Sequence, residues 1–335
     1  MCIRDSCSEI TLPTGKDRDG NERTAVCCLS SLNIEKYDEW KDDKNFVEDI
    51  MRFLDNVLTD FINKAPDSFA NAKYAAARER SVGLGVMGLH SYFQQKGIPF
   101  GSVMSKVWNK KIFTLIQKKV DQASKDLAEE RGACPDAEEF GIKERFSNKT
   151  AIAPTASISI ICGGASPGIE PIAANSYTHK TLSGSYNVRN KYLTKILEKH
   201  GKNTDEVWST ITTNQGSVSH LEFLTKEEKE TFKTAFEIDQ RWIVELGADR
   251  TPHISQAQSV NVFVPADVHK KDLHQLHFQA WKKGLKSLYY CRSKSIQRAE
   301  NINAGSSTDV TKNVYSNKKE SSNEDNKYEE CLSCQ

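Results

Sequence analysis

The chain has 335 residues, with 46 Lys and Arg against 45 Asp and Glu, for a net charge of +1. That length suits two ordinary domains or one large one and is ample to bury a core. A balance this even gives no net field to draw in nucleic acid or an acidic membrane surface, mean hydropathy is −0.59, and no apolar run approaches the roughly 20 residues of a membrane span. Residues 1–6 include Arg4 and Asp5 and no apolar h-region, so no signal peptide is read. The chain reads as soluble and cytoplasmic, with neither nucleic acid nor membrane as a partner.

In chain order, residues 7–13 and 24–32 read as extended segments around a polar turn at 15–21. A helix follows Asp42 and Asp43, with Val47, Ile50, Leu54, Val57, Leu58 and Phe61 at helical spacing. Residues 82–95 read as a glycine-punctuated helical stretch. A long helix spans 103–131, with Ile112, Leu115, Ile116, Val120, Ala123 and Leu127 on one face and Gly132 just past its end. Residues 151–171, rich in Ser, Gly, Ala and Ile, read as a buried strand and loop. Residues 224–247 return to helix, with Thr225 and Glu228 at capping-box spacing. A strand is expected over 254–264, and an amphipathic helix passing into a strand over 268–290. Residues 292–330 are Ser, Asn, Lys and Glu with almost no aliphatic side chains, a composition that cannot offset ordering entropy, so a flexible tail is expected. Helices alternating with short apolar segments make the fold class α/β.

The cysteines come first among residues that carry chemistry. There are nine, an odd number in a long chain, which fits free thiols better than a secreted disulfide scaffold. Cys331 and Cys334 form a CxxC on the tail. This is half a zinc site, an incidental pair, or a tethered dithiol that reaches a buried disulfide and reduces it by exchange. In Cys7-Ser-Glu9, an extended backbone puts thiol and carboxylate on one face. Such a pair can join a nucleophile or thiyl radical to a general base, or it is a buried Cys beside a surface Glu. Cys27 and Cys28 point to opposite faces, so only one can share a pocket with Cys7. Residues 153–159, Ala-Pro-Thr-Ala-Ser-Ile-Ser, offer hydroxyls and consecutive N–H groups for a phosphate nest, or form a plain Ser/Thr-rich strand. Tyr289 and Tyr290 are core residues, or a pair able to relay an electron with its proton.

Taken as an ordered set, these segments resemble one family. Cys7-Ser-Glu9-Ile10-x-Leu12-Pro13, Ala25-Val26-Cys27-x-Leu29-Ser30, Val82-Gly83-Leu84-Gly85-Val86, Ala153-Pro154-Thr155, Gly168-Ile169-Glu170-Pro171, Gln256-x-Gln258-Ser259-x-Asn261, Leu288-Tyr289-Tyr290 and the tail Cys331-x-x-Cys334 follow the order of the large subunit of class I ribonucleotide reductase. The resemblance runs from Cys7 to Gln335. It implies the second half of a ten-stranded α/β barrel with a finger loop. Residues 1–35 would hold the finger loop and following strand, 36–291 the C-terminal part of the barrel, and 292–335 a redox tail.

The resemblance also implies roles. Cys7 would be the thiyl-radical cysteine that takes the ribose 3′ hydrogen, and Glu9 the acceptor of the 3′-hydroxyl proton. Cys27 would belong to the redox pair, with Cys28 a bystander. Pro154, Thr155, Ala156, Ser157 and Ile158 would hold the substrate diphosphate. Tyr289 and Tyr290 would pass the radical from the small subunit, and Cys331 with Cys334 would re-reduce the active-site disulfide using thioredoxin or glutaredoxin. The chain itself would bind no cofactor: the dimetal centre of the small subunit supplies the radical, and ATP and deoxynucleotide effectors bind in an N-terminal part. The full-length subunit would be a homodimer. Residues 1–6 do not resemble the family, and Asp5 stands where it has an Asn holding the substrate hydroxyls, so a foreign start is expected. The redox partner of Cys27 is expected upstream, and the chain alone is expected to be inactive. A cobalamin-dependent reductase of the same barrel would keep Cys7, Glu9 and Cys27 without needing the tyrosine pair. A cysteine-based zinc or interaction module would use only the tail.

Overall fold

A computed structural model describes residues 8–181 and 184–293; Cys7, Cys331, Cys334, residues 1–6 and the tail from 294 onward lie outside the described residues. The chain begins with a two-stranded antiparallel ribbon, β1 (Gly15–Lys16) and β2 (Glu22–Arg23), around the expected polar turn. Residues 8–14 carry no regular structure of their own. β3 (Leu29–Asn33) follows, then α1 (Phe46–Lys64) and α2 (Ala70–Glu79). α1 buries Val47, Met51, Leu54, Asp55 and Leu58. Val57, expected on that face, is 41% exposed.

Residues 82–95 are not one helical stretch. They divide into β4 (Gly83–Met87), buried at every position, and α3 (Leu89–Gln95), with Gly88 in the left-handed region at φ 81° between them. The glycines of β4 follow from close packing. A Cβ at Gly85 would overlap the Ala151 carbonyl oxygen, and one at Gly83 would lie 2.8 Å from the Ala151 Cβ.

α4 (Val103–Arg131) has the expected bounds. Ser102 caps it through a capping box with Ser105, and Gly132 ends it at φ 88°. Ile112, Ile116, Val120, Ala123 and Leu127 all pack into the main core, each large aliphatic contributing about 1.5–3 kcal/mol on burial.

After a short helix, α5 (Ile158–Ile161), come the antiparallel hairpin β5 (Ser176–Thr181) and β6 (Gly184–Arg189), then α6 (Lys191–Lys199) and α7 (Asp205–Thr213). The expected helix over 224–247 is two: α8 (Lys226–Thr231), started by the Thr225–Glu228 capping box, and α9 (Gln240–Arg250), capped by Asp239. They serve different cores. Phe232, just past α8, packs with Leu193, Leu197, Trp208 and Ile211 in a small satellite cluster, whereas Ile243 and Leu246 of α9 join the main core.

Over 254–264 only β7 (Val262–Val264) is regular strand. α10 (Lys270–Lys282) then leads through a loop to β8 (Cys291–Ser293). Arg292 and Ser293, read as the start of the tail, instead pair with Phe263 and Val264.

The pairings combine into one parallel arrangement. β3 pairs with β4, Leu84 of β4 bridges to Thr150, Ile152 bridges to Gln258, and β7 pairs with β8, every contact parallel. The spatial order is therefore β3, β4, residues 150–152, residues 256–264 and β8. Parallel neighbours need long crossover connections, and the helices supply them.

Candidate active site

Residues 8–11 lie against 256–259, and each contact comes from that strand segment. The Ala257 N–H donates to the Glu9 carbonyl at 2.9 Å. The Ser8 N–H donates to Ser259 Oγ at 3.1 Å, and the Thr11 N–H to Gln256 Oε1 at 3.2 Å. Gln256 is itself oriented because its Nε2 donates to the Val82 carbonyl at 3.1 Å. Glu9 is wholly buried, and Ser259 Oγ donates to its Oε2 at 2.5 Å. A serine hydroxyl has one hydrogen and two lone pairs, so Ser259 can serve the carboxylate and the Ser8 amide together.

The turn at 154–158 joins this cluster through the same serine. The Ser259 N–H donates to the Ile152 carbonyl at 2.9 Å, two residues before Pro154. Pro154 and Thr155 are buried, Ala156 is half-buried, and Ser157 and Ile158 face solvent at the head of α5. Thr155 sits in the left-handed region at φ 53°, a conformation that costs a β-branched residue energy and persists when its surroundings fix it. They do: Thr155 Oγ1 accepts from the Gly168 N–H at 2.7 Å, and its carbonyl accepts from Ser159 N–H at 3.0 Å. A cavity of about 580 Å³ opens beside Ala156 and Ser159, bounded also by Ser91, Gln94 and Asn190.

The other side of the 256–264 segment holds the tyrosines. The Tyr289 N–H donates to the Val260 carbonyl at 2.8 Å, and the Tyr290 carbonyl accepts from Val262 N–H at 3.0 Å. The Tyr290 N–H donates to Asn261 Oδ1 at 2.9 Å. The two rings lie 4.0 Å apart, tilted by 39°, and the Arg292 guanidinium lies over Tyr290 at 5.3 Å. Tyr289 is half-buried, while Tyr290 is 38% exposed and reaches the surface. Behind them Asn261 Nδ2 donates to Glu170 Oε1 at 2.5 Å. Burial pushes the Glu170 carboxyl up to about 8, against the opposing pull of Arg292 and Asn261.

Cys27 is exposed just before β3, at the far edge of the sheet from the tyrosines. Cys28 is buried, its Sγ 3.9 Å from the Leu54 carbonyl, and burial pushes its thiol up to about 11. The two side chains thus take opposite environments, as adjacent strand residues do. The structure brings Glu9, Ile152 just before the 154–158 turn, and the Tyr289–Tyr290 pair against one segment, 256–262, and leaves Cys27 apart from it. Cys7, Cys331 and Cys334 lie outside the described residues.

Three residues that organise this site were not assigned roles from sequence: Gln256, Ser259 and Asn261. A signal was present. Gln256, Gln258, Ser259 and Asn261 are polar residues inside an otherwise apolar strand, and all are buried. Buried polar groups require partners. Gln258 finds its own on the outer side, in Arg250 and the Gly247 carbonyl. Among the described residues no group of three or more His, Cys, Asp or Glu is placed to hold a metal ion, and no helix is long and apolar enough to cross a membrane.

The family model described as "Ribonucleotide reductase, barrel domain" matches residues 5–143 and 136–291. The chain is 49% identical over 302 residues to a ribonucleoside-diphosphate reductase large subunit of Invertebrate iridescent virus 6, covering 89% of this chain and 31% of that protein. It is 42% identical over 313 residues to the corresponding subunit of Invertebrate iridescent virus 3, covering 92% of this chain and 49% of that one. Among solved structures, the class Id ribonucleotide reductase alpha subunit of Actinobacillus ureae is similar with a TM-score of 0.79 and 40% identity, covering 86% of this chain and 52% of that one. The chain thus spans between a third and half of the length of these relatives.

Proposed function

The chain belongs to the ribonucleotide reductase family, and we propose that it is the C-terminal part of the large subunit of a class I enzyme that reduces ribonucleoside diphosphates to deoxyribonucleoside diphosphates. In this reading a small subunit carrying a dimetal centre supplies the radical, and this chain binds no metal of its own. Tyr290 receives the radical at the surface, Tyr289 passes it inward, and Cys7 becomes the thiyl. The thiyl takes the 3′ hydrogen atom from the ribose. Glu9 accepts the 3′-hydroxyl proton as the 2′-hydroxyl is protonated and leaves as water. Cys27 and a second thiol upstream give up two electrons and two protons and close to a disulfide, and Cys7 returns the hydrogen to C3′. Cys331 and Cys334 reopen that disulfide by exchange and are renewed by thioredoxin or glutaredoxin.

Residues 154–158 hold the diphosphate in this scheme; the solvent-facing Ser157 and Ile158 at the head of α5 support that placement. Effectors bind in the part of the subunit N-terminal to this chain, and the full-length subunit is a homodimer. A cytoplasmic location is supported by free thiols at Cys28, Cys134, Cys162 and Cys291, as a reducing compartment keeps them.

One observation carries the reading. A single segment, 256–262, hydrogen-bonds the Glu9 stretch and the Tyr289–Tyr290 pair, so a proton acceptor and an oxidisable pair share one stretch of backbone. The test is Tyr289→Phe in the full-length subunit, assayed with its small subunit. Loss of nucleoside-diphosphate reduction with substrate binding retained is expected. Full activity in the variant, or parent activity independent of the small subunit, overturns the class I reading.

A further inference from the structure

Ser259 and Glu9 are separated by 250 positions in the chain, yet the serine hydroxyl meets the Glu9 carboxylate directly. Its hydroxyl donates to Glu9 Oε2 at 2.5 Å while accepting the Ser8 N–H at 3.1 Å. Its backbone N–H holds the Ile152 carbonyl at 2.9 Å, at the approach to the 154–158 turn. Ser259 is 1% exposed and Glu9 is 0% exposed, so water does not compete freely for either group. Gln256, three residues earlier, accepts the Thr11 N–H on the other side of Glu9 along the chain.

We infer that Ser259 is a positioning residue: its hydroxyl aims the Glu9 carboxylate while holding the Ser8 amide beside it. The inference rests on Glu9 being the proton acceptor of the proposed reaction. Its physical content is specific. A hydroxyl hydrogen bond to a carboxylate favours the ionised, accepting form. It also restricts Glu9 to one rotamer, so the oxygen facing the substrate is set before the substrate arrives. Both effects act on the chemical step and neither on the phosphate contacts.

The experiment uses the full-length subunit assembled with its small subunit, with cytidine diphosphate as the probe substrate. Ser259→Ala is expected to lower kcat by about 10- to 100-fold, to leave KM within about twofold, and to move the low-pH limb of kcat upward by about one pH unit. Ser259→Thr, which keeps the hydroxyl, is expected to restore both kcat and the limb, whereas Ser259→Val, of equal volume without it, is not. The Thr and Val pair carries the test should Ser259→Ala fail to assemble, because any packing cost is common to both. Glu9→Gln separates the two levels. If Glu9→Gln abolishes turnover but Ser259→Val matches Ser259→Thr in kcat and pH limb, Ser259 has no positioning role and the inference is overturned alone. A rise in KM at constant kcat overturns it too. If Glu9→Gln retains full turnover, the reading of Glu9 as proton acceptor fails and the inference falls with it.

Discussion

Gly85→Ala tests whether residues 150–152, which lead into the 154–158 turn, are seated against β4 as described. A Cβ at Gly85 would overlap the Ala151 carbonyl oxygen and lie 3.4 Å from both the Ala151 carbonyl carbon and the Ile152 Cα. Backbone on one side and backbone on the other leave no flexible side chain to give way. Seating the methyl therefore separates the two segments where the Leu84 N–H meets the Lys149 carbonyl at 2.9 Å and the Ala151 N–H meets the Leu84 carbonyl at 3.3 Å. Two weakened backbone bonds at about 1 kcal/mol each, with about 1–3 kcal/mol of overpacking, set the cost. The entropy an alanine removes from the unfolded chain returns about 0.4–1 kcal/mol. A net loss of about 2–4 kcal/mol is expected. Urea unfolding of the parent and variant chains measures it as a lowered midpoint at unchanged slope. Gly141→Ala is the control, since that glycine has φ +69° but open space around its Cβ position, and it is expected to lose only about 1 kcal/mol. A Gly85→Ala chain within about 0.5 kcal/mol of the parent would refute the close approach.

Two further expectations follow from buried titrating groups. Burial raises the Glu79 carboxyl to about 7, against the pull of a Ser81 hydrogen bond and the Arg23 charge. The folded state then holds a proton that the unfolded chain loses near 4.5, so stability falls as pH rises from about 4.5 to about 7 and is flat above. Glu79→Gln is expected to remove that slope in a pH series of unfolding midpoints; an unchanged slope assigns it elsewhere. For the thiols, labelling with an aromatic disulfide at pH 8 is expected to find exposed Cys27 reacting fast and buried Cys28 slowly. Peptide mapping that finds Cys28 modified fast and Cys27 slowly would reverse the assignment of the two side chains.

The long helix α4 was legible to its ends because a single apolar face repeats along it and Gly132 closes it. The stretch 82–95 was not, for a reason rooted in its packing. β4 is buried on both faces, so it shows no alternation of apolar and polar residues, and its glycines answer to the Ala151 backbone, a partner invisible in a local window. The helix read over 224–247 failed differently. Helical periodicity continued across Phe232 and Ile243 although those side chains enter separate cores. The strand read over 254–264 is mostly irregular because its polar residues direct hydrogen bonds to the Glu9 stretch, to Arg250 and to the tyrosine loop instead of to a uniform ladder. In the site, Glu9 and the tyrosine pair stood out by local spacing, whereas Ser259 acts across nearly the whole chain, a relation that only folding creates.

In the proposed reaction, sulfur at position seven is the oxidant of the sugar and Glu9 the proton acceptor. The most direct measurement is deoxyribonucleoside diphosphate formation by the full-length subunit bearing Cys7→Ser, with the small subunit, substrate and a dithiol reductant present. No product above background, with substrate still bound at the parent's affinity, is the expected result. Turnover at the parent's rate would contradict the central claim.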